Sequence, residues 1–231
     1  MTKKIKMLIR RAASVFCLGG MLLSAGLFTS CTEKDNTVEE FTNWQSKNET
    51  YWNKLYTTTQ QKIKSGDTSW KIILNYTFQN QKQTSGSALT YSPENYIIAH
   101  VEQAGAGTAS PLYSDSVSMH YMGRLIPSTT YTAGLIFDKS WSSDTFNAAT
   151  SRPNHSYIGL SYDSKGKPIS LVDGFTTALM SMHRGDYWTV YIPYQLGYGA
   201  SASGIVPAYS TLIFDLRLVD FSHPGTKLKD S

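Results

Sequence analysis

Three motifs near the C-terminal end decide the fold: LVDGF at 171–175, YIPYQLGYG at 191–199 and IVPAYSTLIFD at 205–215. The first opens a run in which apolar residues recur every three or four positions, which predicts a short amphipathic helix. The other two are rich in aromatic and β-branched residues interrupted by Gly and Pro, which predicts two strands separated by a loop. No cluster of metal ligands, phosphate-binding loop or acid–base pair is evident in the sequence 171–221. This region therefore offers a ligand aromatic and aliphatic surface beside loops.

Short strand patterns also precede this region. In residues 116–125, Val117, Met119 and Tyr121 alternate with other side chains and predict one face of a strand. Many short strands and one short helix predict an α+β fold, in which an antiparallel β-sheet wraps around a short α-helix. An N-terminal extension of one helix and one strand is expected before it. Strands are expected at 70–78, 96–101, 116–125, 135–138, 157–160, 187–192 and 211–219, and loops at 140–153 and 161–168.

The first thirty residues have the pattern of an export signal. Five Lys and Arg residues precede an apolar stretch at 12–28, which is too short and too interrupted for a confident membrane span. Small residues then precede Cys31, an arrangement that resembles a bacterial lipoprotein signal. We expect a signal peptide at 1–30, lipidation of Cys31 and a polar tether at 31–37. The alternative is an ordinary signal peptide with a chance cysteine.

Removal of that segment changes the charge balance. All five of its charged residues are basic, so 16 of the 21 Lys and Arg residues remain beside 17 acidic residues, a net charge of −1. This balance leaves no basic footprint and predicts no nucleic-acid partner. Cys17 is lost with the signal and Cys31 is expected to carry lipid, so no thiol remains for a disulfide or a cysteine nucleophile.

The stretch from 38 to 64 predicts a helix with an aromatic face. Phe41, Trp44, Tyr51 and Trp52 recur at helical spacing on one side. We favour packing of this face against the chain's own domain. Two alternatives stay open: a homodimer contact through the N-terminal helix, and a client-binding surface of a holdase chaperone.

Six motifs follow one another along the chain: MHYMGRL at 119–125, FDKS at 137–140, LVDGF at 171–175, MHRGD at 182–186, IP with LGYG at 192–199, and IVPA with TLIFD at 205–215. In this order they resemble the FKBP-type peptidyl-prolyl cis-trans isomerase family. The similarity covers about residues 96–222. The lipoprotein signal, with the charged stretch after Cys31, is similar to those of Bacteroidetes lipoproteins.

The resemblance implies a proline-binding pocket, with Phe175 as its floor. The main-chain amide of Val172 and the hydroxyl of Tyr198 are implied to donate to ligand carbonyls, and Asp138 is implied to lie beside Tyr121. Taken singly, each aromatic residue is more simply explained as core. The walls are implied to be Tyr121, Phe137 and Phe214, the rim Leu171 and Ile205, and Tyr157 a further aromatic wall.

The family implies isomerisation of X-Pro bonds in polypeptide clients, with no metal and no cofactor. The chain departs from the family pattern in having Phe175 where the family has Trp, and in a short loop at 199–204. A weakly catalytic binding module is therefore the alternative function. We expect a protein that assists folding of exported proteins from a lipid anchor in the bacterial envelope, on the periplasmic or surface face of the outer membrane. The expected organisation is the signal peptide at 1–30, the tether at 31–37, the extension at 38–93, the isomerase domain at 94–222 and a tail at 223–231.

Overall fold

The computed structural model describes residues 39–81 and 89–228. The predicted signal peptide, Cys31 with its tether, and residues 229–231 of the tail lie outside the described residues. None of the helices within the described ranges has the length and apolar character needed to cross a membrane.

The architecture is α+β, as predicted, with one large antiparallel sheet and a short helix on one face. Two 3₁₀ turns, at Pro93–Asn95 and Tyr194–Leu196, connect some of the elements. The helices and strands are α1 (Trp44–Lys64), β1 (Trp70–Leu74), α2 (Tyr76–Gln79), β2 (Tyr96–Gln103), β3 (Ser116–Leu125), β4 (Ile136–Lys139), β5 (Asn154–Tyr157), β6 (Ser161–Tyr162), β7 (Pro168–Ile169), α3 (Asp173–Leu179), β8 (Tyr187–Ile192) and β9 (Leu212–Ser222).

The strands of the large sheet follow the order β1-β2-β8-β9-β3-β4, and β5 also pairs with β3. Every pairing is antiparallel, and the longest joins β3 to β9, from Ser116 opposite Ser222 to Leu125 opposite Leu212. The last strand thus lies in the middle of the sheet, between β8 and β3. Strands β4 and β5 pair with opposite ends of β3. The loops next to β4 and β5 therefore lie at the β3 edge of the sheet.

Helix α3 packs closely on β8. Gly174 lies so near this strand that an added Cβ would come within 2.3 Å of Ile192 Cγ2, so only glycine permits the approach. The helix is also tied to the end of β1, because the Thr177 hydroxyl donates to Asn75 Oδ1 at 2.9 Å. Phe175, Ala178 and Leu179 are buried in the core that this packing creates.

Helix α1 packs its aromatic face against the same sheet. Trp44 Nε1 donates to Ser210 Oγ at 2.8 Å, and Asn48 Oδ1 accepts the main-chain N–H of Thr211 at 2.7 Å. Trp44, Asn48 and Trp52 are buried. The favoured prediction of packing within the domain is confirmed. The alternative of a client-binding holdase surface on this face loses Trp44 and Trp52, because both rings are covered by the domain itself.

Two predicted strands end or begin elsewhere. The strand predicted at 70–78 stops at Leu74, because Asn75 turns the chain and α2 follows, with Phe78 N–H donating to Asn75 C=O at 2.9 Å. The strand predicted at 157–160 lies at 154–157 instead. Its register on β3 ends at Tyr157, and the next N–H, from Ile158, donates to Asp115 C=O at 3.0 Å. The predicted loop 161–168 contains β6 and the first residue of β7.

Candidate active site: an aromatic pocket at the start of α3

A cavity of about 150 Å³ opens where α3 begins, beside β3, β4 and β9. The structure brings eight of the ten predicted pocket residues to its lining: Tyr121, Phe137, Asp138, Leu171, Val172, Phe175, Tyr198 and Phe214.

The floor consists of aromatic rings in edge-to-face contact. Phe175 from α3 meets Phe214 from β9 at a centroid distance of 4.8 Å and 73°, and Tyr121 from β3 meets Phe175 at 5.9 Å and 82°. Phe137 from β4 stands at 90° to Phe214, 5.5 Å away. Edge-to-face packing suits the ring quadrupoles and holds each ring in one orientation. The result is an apolar cup whose innermost rings, Phe175 and Phe214, also belong to the hydrophobic core.

Gly123 makes room for two of these rings. A Cβ at this position would lie 2.5 Å from Phe137 Cζ and 2.7 Å from Phe214 Cε1. The residue sits on β3 opposite Phe214, so a side chain there would push the rings apart. The glycine of the MHYMGRL motif therefore has a steric role in shaping the pocket.

The rim carries one carboxylate, at Asp138. Its Oδ2 accepts the hydroxyl proton of Tyr121 at 2.9 Å. The strand register explains the contact, because Asp138 on β4 lies opposite Gly123, two residues beyond Tyr121 on β3. Burial, followed by the hydrogen bond and the negative charge of Asp138, raises the pKa of Tyr121 to about 12. The hydroxyl therefore stays protonated, as a donor, at neutral pH.

Val172 and Tyr198 supply the two predicted donors. Val172 precedes α3, and its C=O accepts the N–H groups of Phe175 and Thr176 at 2.9 and 3.0 Å. Its own N–H finds no protein acceptor within residues 39–81 and 89–228. Tyr198 remains 39% exposed. Burial of the rest and the charge of Asp138 raise the pKa of its hydroxyl, and a side-chain hydrogen bond with Ser203 opposes this shift. Both donors are thus available to a ligand at the mouth of the cavity.

The loop that carries Tyr198 is held by main-chain bonds. Gly199 has a φ of 68°, its N–H donates to Tyr194 C=O at 2.8 Å, and its C=O accepts the N–H of Tyr209 at 2.9 Å. Because glycine adopts positive φ without strain, this turn can direct the preceding tyrosine toward the pocket.

Two predicted site residues do not line the cavity. On β5, Asn154 lies opposite Met119 and Tyr157 lies opposite Ser116, so the register brings Asn154 to the pocket in place of Tyr157. Ile205 is 59% exposed, in a turn whose buried residue is its neighbour Val206. The assignments of Tyr157 as a wall and of Ile205 as a rim contact are therefore corrected.

Three lining residues were missed: Met119, Asn154 and Ser170. Met119 was recognisable, since it shares a strand face with Tyr121. Asn154 and Ser170 lie in segments with no periodicity, and only the folded chain brings them to the site. In the portion of the chain that is described, no group of three or more His, Cys, Asp or Glu residues could hold a metal ion.

Comparison with known proteins agrees with this geometry. Residues 107–219 match the family model described as FKBP-type peptidyl-prolyl cis-trans isomerase. The chain is 30% identical over 149 residues to a macrophage infectivity potentiator of Trypanosoma cruzi. The matched segment covers 64% of this chain and 63% of that protein. It is 31% identical over 131 residues to the peptidyl-prolyl cis-trans isomerase Mip of Coxiella burnetii, which covers 54% of this chain and 44% of the relative.

A crystal structure of a peptidyl-prolyl cis-trans isomerase from Pseudomonas syringae pv. tomato is 26% identical, with a TM-score of 0.40, covering 55% of this chain and 76% of its own. The chain spans less than two thirds of the length of the two curated relatives. The family match covers all six motifs, from MHYMGRL to TLIFD. The match to the FKBP-type peptidyl-prolyl cis-trans isomerase family model, at residues 107–219, therefore includes every residue that lines the aromatic pocket.

Proposed function

We propose that this chain catalyses cis–trans isomerisation of X-Pro peptide bonds in polypeptide clients. The observation that carries the proposal is the aromatic cup of Phe175, Phe214 and Tyr121, with the Val172 N–H and the Tyr198 hydroxyl as donors beside its mouth. An apolar cup of this size suits a pyrrolidine ring, which has no polar group of its own. The two donors match the carbonyls that flank it.

The reaction requires rotation about a planar amide, against a barrier of roughly 18–20 kcal/mol. The planar amide is stabilised by charge separation between N and O, and the twisted transition state has lost that resonance. An apolar pocket that removes water from the amide therefore disfavours the planar form more than the twisted one. This difference is what accelerates the reaction, because only interactions stronger in the transition state lower the barrier.

The two donors add orientation to this desolvation. The Val172 N–H and the Tyr198 hydroxyl hold client carbonyls, so that rotation is confined to the X-Pro bond. A thousandfold acceleration requires only about 4 kcal/mol. The proposal assigns this difference to the ring packing and the two hydrogen bonds, and the chemistry forms no covalent intermediate.

A peptide isomerisation assay tests this activity. The full chain, at micromolar concentration, is expected to accelerate cis–trans exchange of an Ala-Leu-Pro-Phe peptide. Binding of proline peptides without acceleration would instead identify a non-catalytic binding module. If the chain neither binds these peptides nor accelerates their exchange, both functions are rejected.

The cellular setting extends the same proposal. A lipid on Cys31, after removal of residues 1–30, would hold the isomerase domain on a bacterial envelope membrane, where it would assist folding of exported proteins. The support is the sequence pattern before Cys31. Mass spectrometry of the protein from its membrane fraction tests it, and an unmodified Cys31 would reject it.

A homodimer through the N-terminal helix would have to use the exposed side of α1. Trp44, Asn48 and Trp52 are buried within the domain and are not available for it. Sedimentation velocity of the full chain distinguishes a monomer from a dimer.

A further inference from the structure

A second, polar cavity of about 280 Å³ lies between α1 and the 3₁₀ turn Tyr194–Leu196. Glu49 from α1 and Glu94 from the 3₁₀ turn Pro93–Asn95 both line it. Glu49 Oε1 accepts the hydroxyl of Tyr194 at 3.3 Å, which ties the helix to the turn. The cavity is thus walled by the N-terminal extension on one side and by the isomerase domain on the other.

Two buried polar groups of residues that line this cavity have no hydrogen-bond partner among the described residues: Trp52 Nε1 and Thr211 Oγ1. The two residues are only 4% and 1% exposed. Buried polar groups without partners are uncommon and costly. An indole N–H can only donate, so the group that satisfies it must be an acceptor. A peptide carbonyl has the required chemistry.

A groove between the polar cavity and the aromatic pocket shares lining residues with each of them. Gln195 lines both the polar cavity and a groove between 170–173 and 195–198. Leu171, Val172 and Tyr198 line both that groove and the aromatic pocket. These shared residues place the groove between the floor at Phe175 and helix α1, with Val172 and Tyr198 along it.

The charges that line the groove and the two cavities have one sign. Lys, Arg and His do not occur among the described residues that line the three cavities. A surface of this kind attracts cationic groups and disfavours anionic ones, because like charges repel. The charged lining residues are Asp138, Asp173, Glu49 and Glu94.

We propose that a client polypeptide with its proline in the aromatic pocket extends along this groove to α1, where Glu49 and Glu94 select a Lys or Arg side chain. The N-terminal extension is then part of the substrate site, and the preferred clients are basic on one side of the proline. This inference rests on the proposed prolyl-binding function.

Peptides of eleven residues with a common Ala-Leu-Pro-Phe core test this selection. A single Lys is placed at each flanking position in turn, with Gln and Glu peptides as counterparts. Fluorescence anisotropy measures binding to the full chain, and exchange kinetics measure kcat/KM. We expect one flanking region where Lys peptides bind about threefold to tenfold more tightly than Glu peptides. This ratio should fall at high salt.

The variant that carries both Glu49→Gln and Glu94→Gln is expected to lose most of this ratio. Glutamine keeps an acceptor oxygen for Tyr194, so charge rather than shape is removed. Glu39→Gln, an exposed site outside all three cavities, serves as the matched control and should keep the ratio.

Equal binding of Lys, Gln and Glu peptides at every position overturns the inference. An unchanged ratio of Lys-peptide to Glu-peptide affinity in the double variant overturns it as well. Turnover of the bare Ala-Leu-Pro-Phe peptide by the wild type reports on isomerase activity alone. Lys-selective binding without that turnover would reject the isomerase proposal but support the groove as a binding site for basic peptides.

Discussion

The hydroxyl of Tyr121 donates a hydrogen bond to Asp138 across the wall of the aromatic pocket, at 2.9 Å. This bond holds the one carboxylate that lines the pocket beside the Tyr121 ring. We expect Tyr121→Phe to lower kcat/KM by about threefold to tenfold, since the ring wall remains but the carboxylate is released. Because the pair is partly exposed, unfolding free energy should fall by about 1 kcal/mol or less. Tyr162→Phe, at an exposed tyrosine outside the pocket, is the control, and equal kinetics for the two variants would contradict the assignment.

Removal of the Tyr198 hydroxyl tests its role as a donor. The ring is partly exposed and its loop is held by main-chain bonds, so Tyr198→Phe should fold normally, within about 0.5 kcal/mol of the wild type. Loss of one hydrogen bond to a client carbonyl predicts a fall in kcat/KM of about fivefold to tenfold. Peptide exchange kinetics beside a chemical denaturation curve separate the two effects. Unchanged kinetics would show that the hydroxyl does not bind the client.

Truncation of the floor should damage both stability and activity. Phe175→Ala leaves a cavity under Phe214 and is expected to cost about 3–5 kcal/mol of unfolding free energy. Its activity per folded molecule should fall at least about tenfold, because the surface beneath the proline ring is gone. Leu179→Ala, on the same helix and fully buried but outside the pocket lining, is the matched control.

The control variant Leu179→Ala is expected to lose about 2–5 kcal/mol of unfolding free energy and to keep its activity per folded molecule. Circular dichroism gives the folded fraction for both variants. If both lose activity equally, the floor acts only through stability.

Asn48 joins α1 to the sheet. Asn48→Ala leaves the buried N–H of Thr211 without its acceptor, which should cost about 1–3 kcal/mol. A domain of this size should then melt about 3–10 °C lower. Gln60→Ala, at an exposed position of the same helix, should leave the melting temperature within about 1 °C. An unchanged melting temperature for Asn48→Ala would mean that the helix contributes little to stability.

Glu40 gives the stability a dependence on acidic pH. Hydrogen bonds, first from the Ser128 hydroxyl and then from Thr130, lower its pKa from 4.5 to about 2. A carboxyl group whose pKa is lowered on folding stabilises the protein above its unfolded pKa, and that contribution is lost as pH falls from about 4.5 to about 2. We therefore expect Glu40→Gln and Ser128→Ala to lose less stability than the wild type between pH 5 and pH 2.5. Thermal melts across this range measure the difference, and parallel curves for all three proteins would contradict it.

Much of the fold was predictable because it depends on local patterns. Alternation along residues 116–125 predicted β3 with its observed bounds, and helical spacing after Val172 predicted α3. One error fell at Asn75, where the β-rich run ends and α2 begins. The Asn75 side chain accepts a hydrogen bond from Thr177, a residue 102 positions away, which no local pattern could reveal.

Of the site, the sequence determined the parts that lie on regular elements or in motifs. Tyr121, Phe137, Phe175 and Phe214 were predicted from motif order, and all four line the pocket. Tyr157 and Ile205 were placed wrongly because both lie at the edges of irregular loops. There the strand register and turn geometry, rather than the residue type, determine which side chain faces inward.

Only the tertiary structure decided what the N-terminal extension does. Helical spacing predicted its aromatic face, but no local signal identifies Ser210 as the partner of Trp44, 166 residues away. Periodicity predicts which side of a helix is apolar. The surface that packs against this side depends on the fold of the whole chain. The same packing creates the polar cavity at α1. Its residues Gln195, Glu49 and Glu94 come from separate segments that meet only in the folded protein.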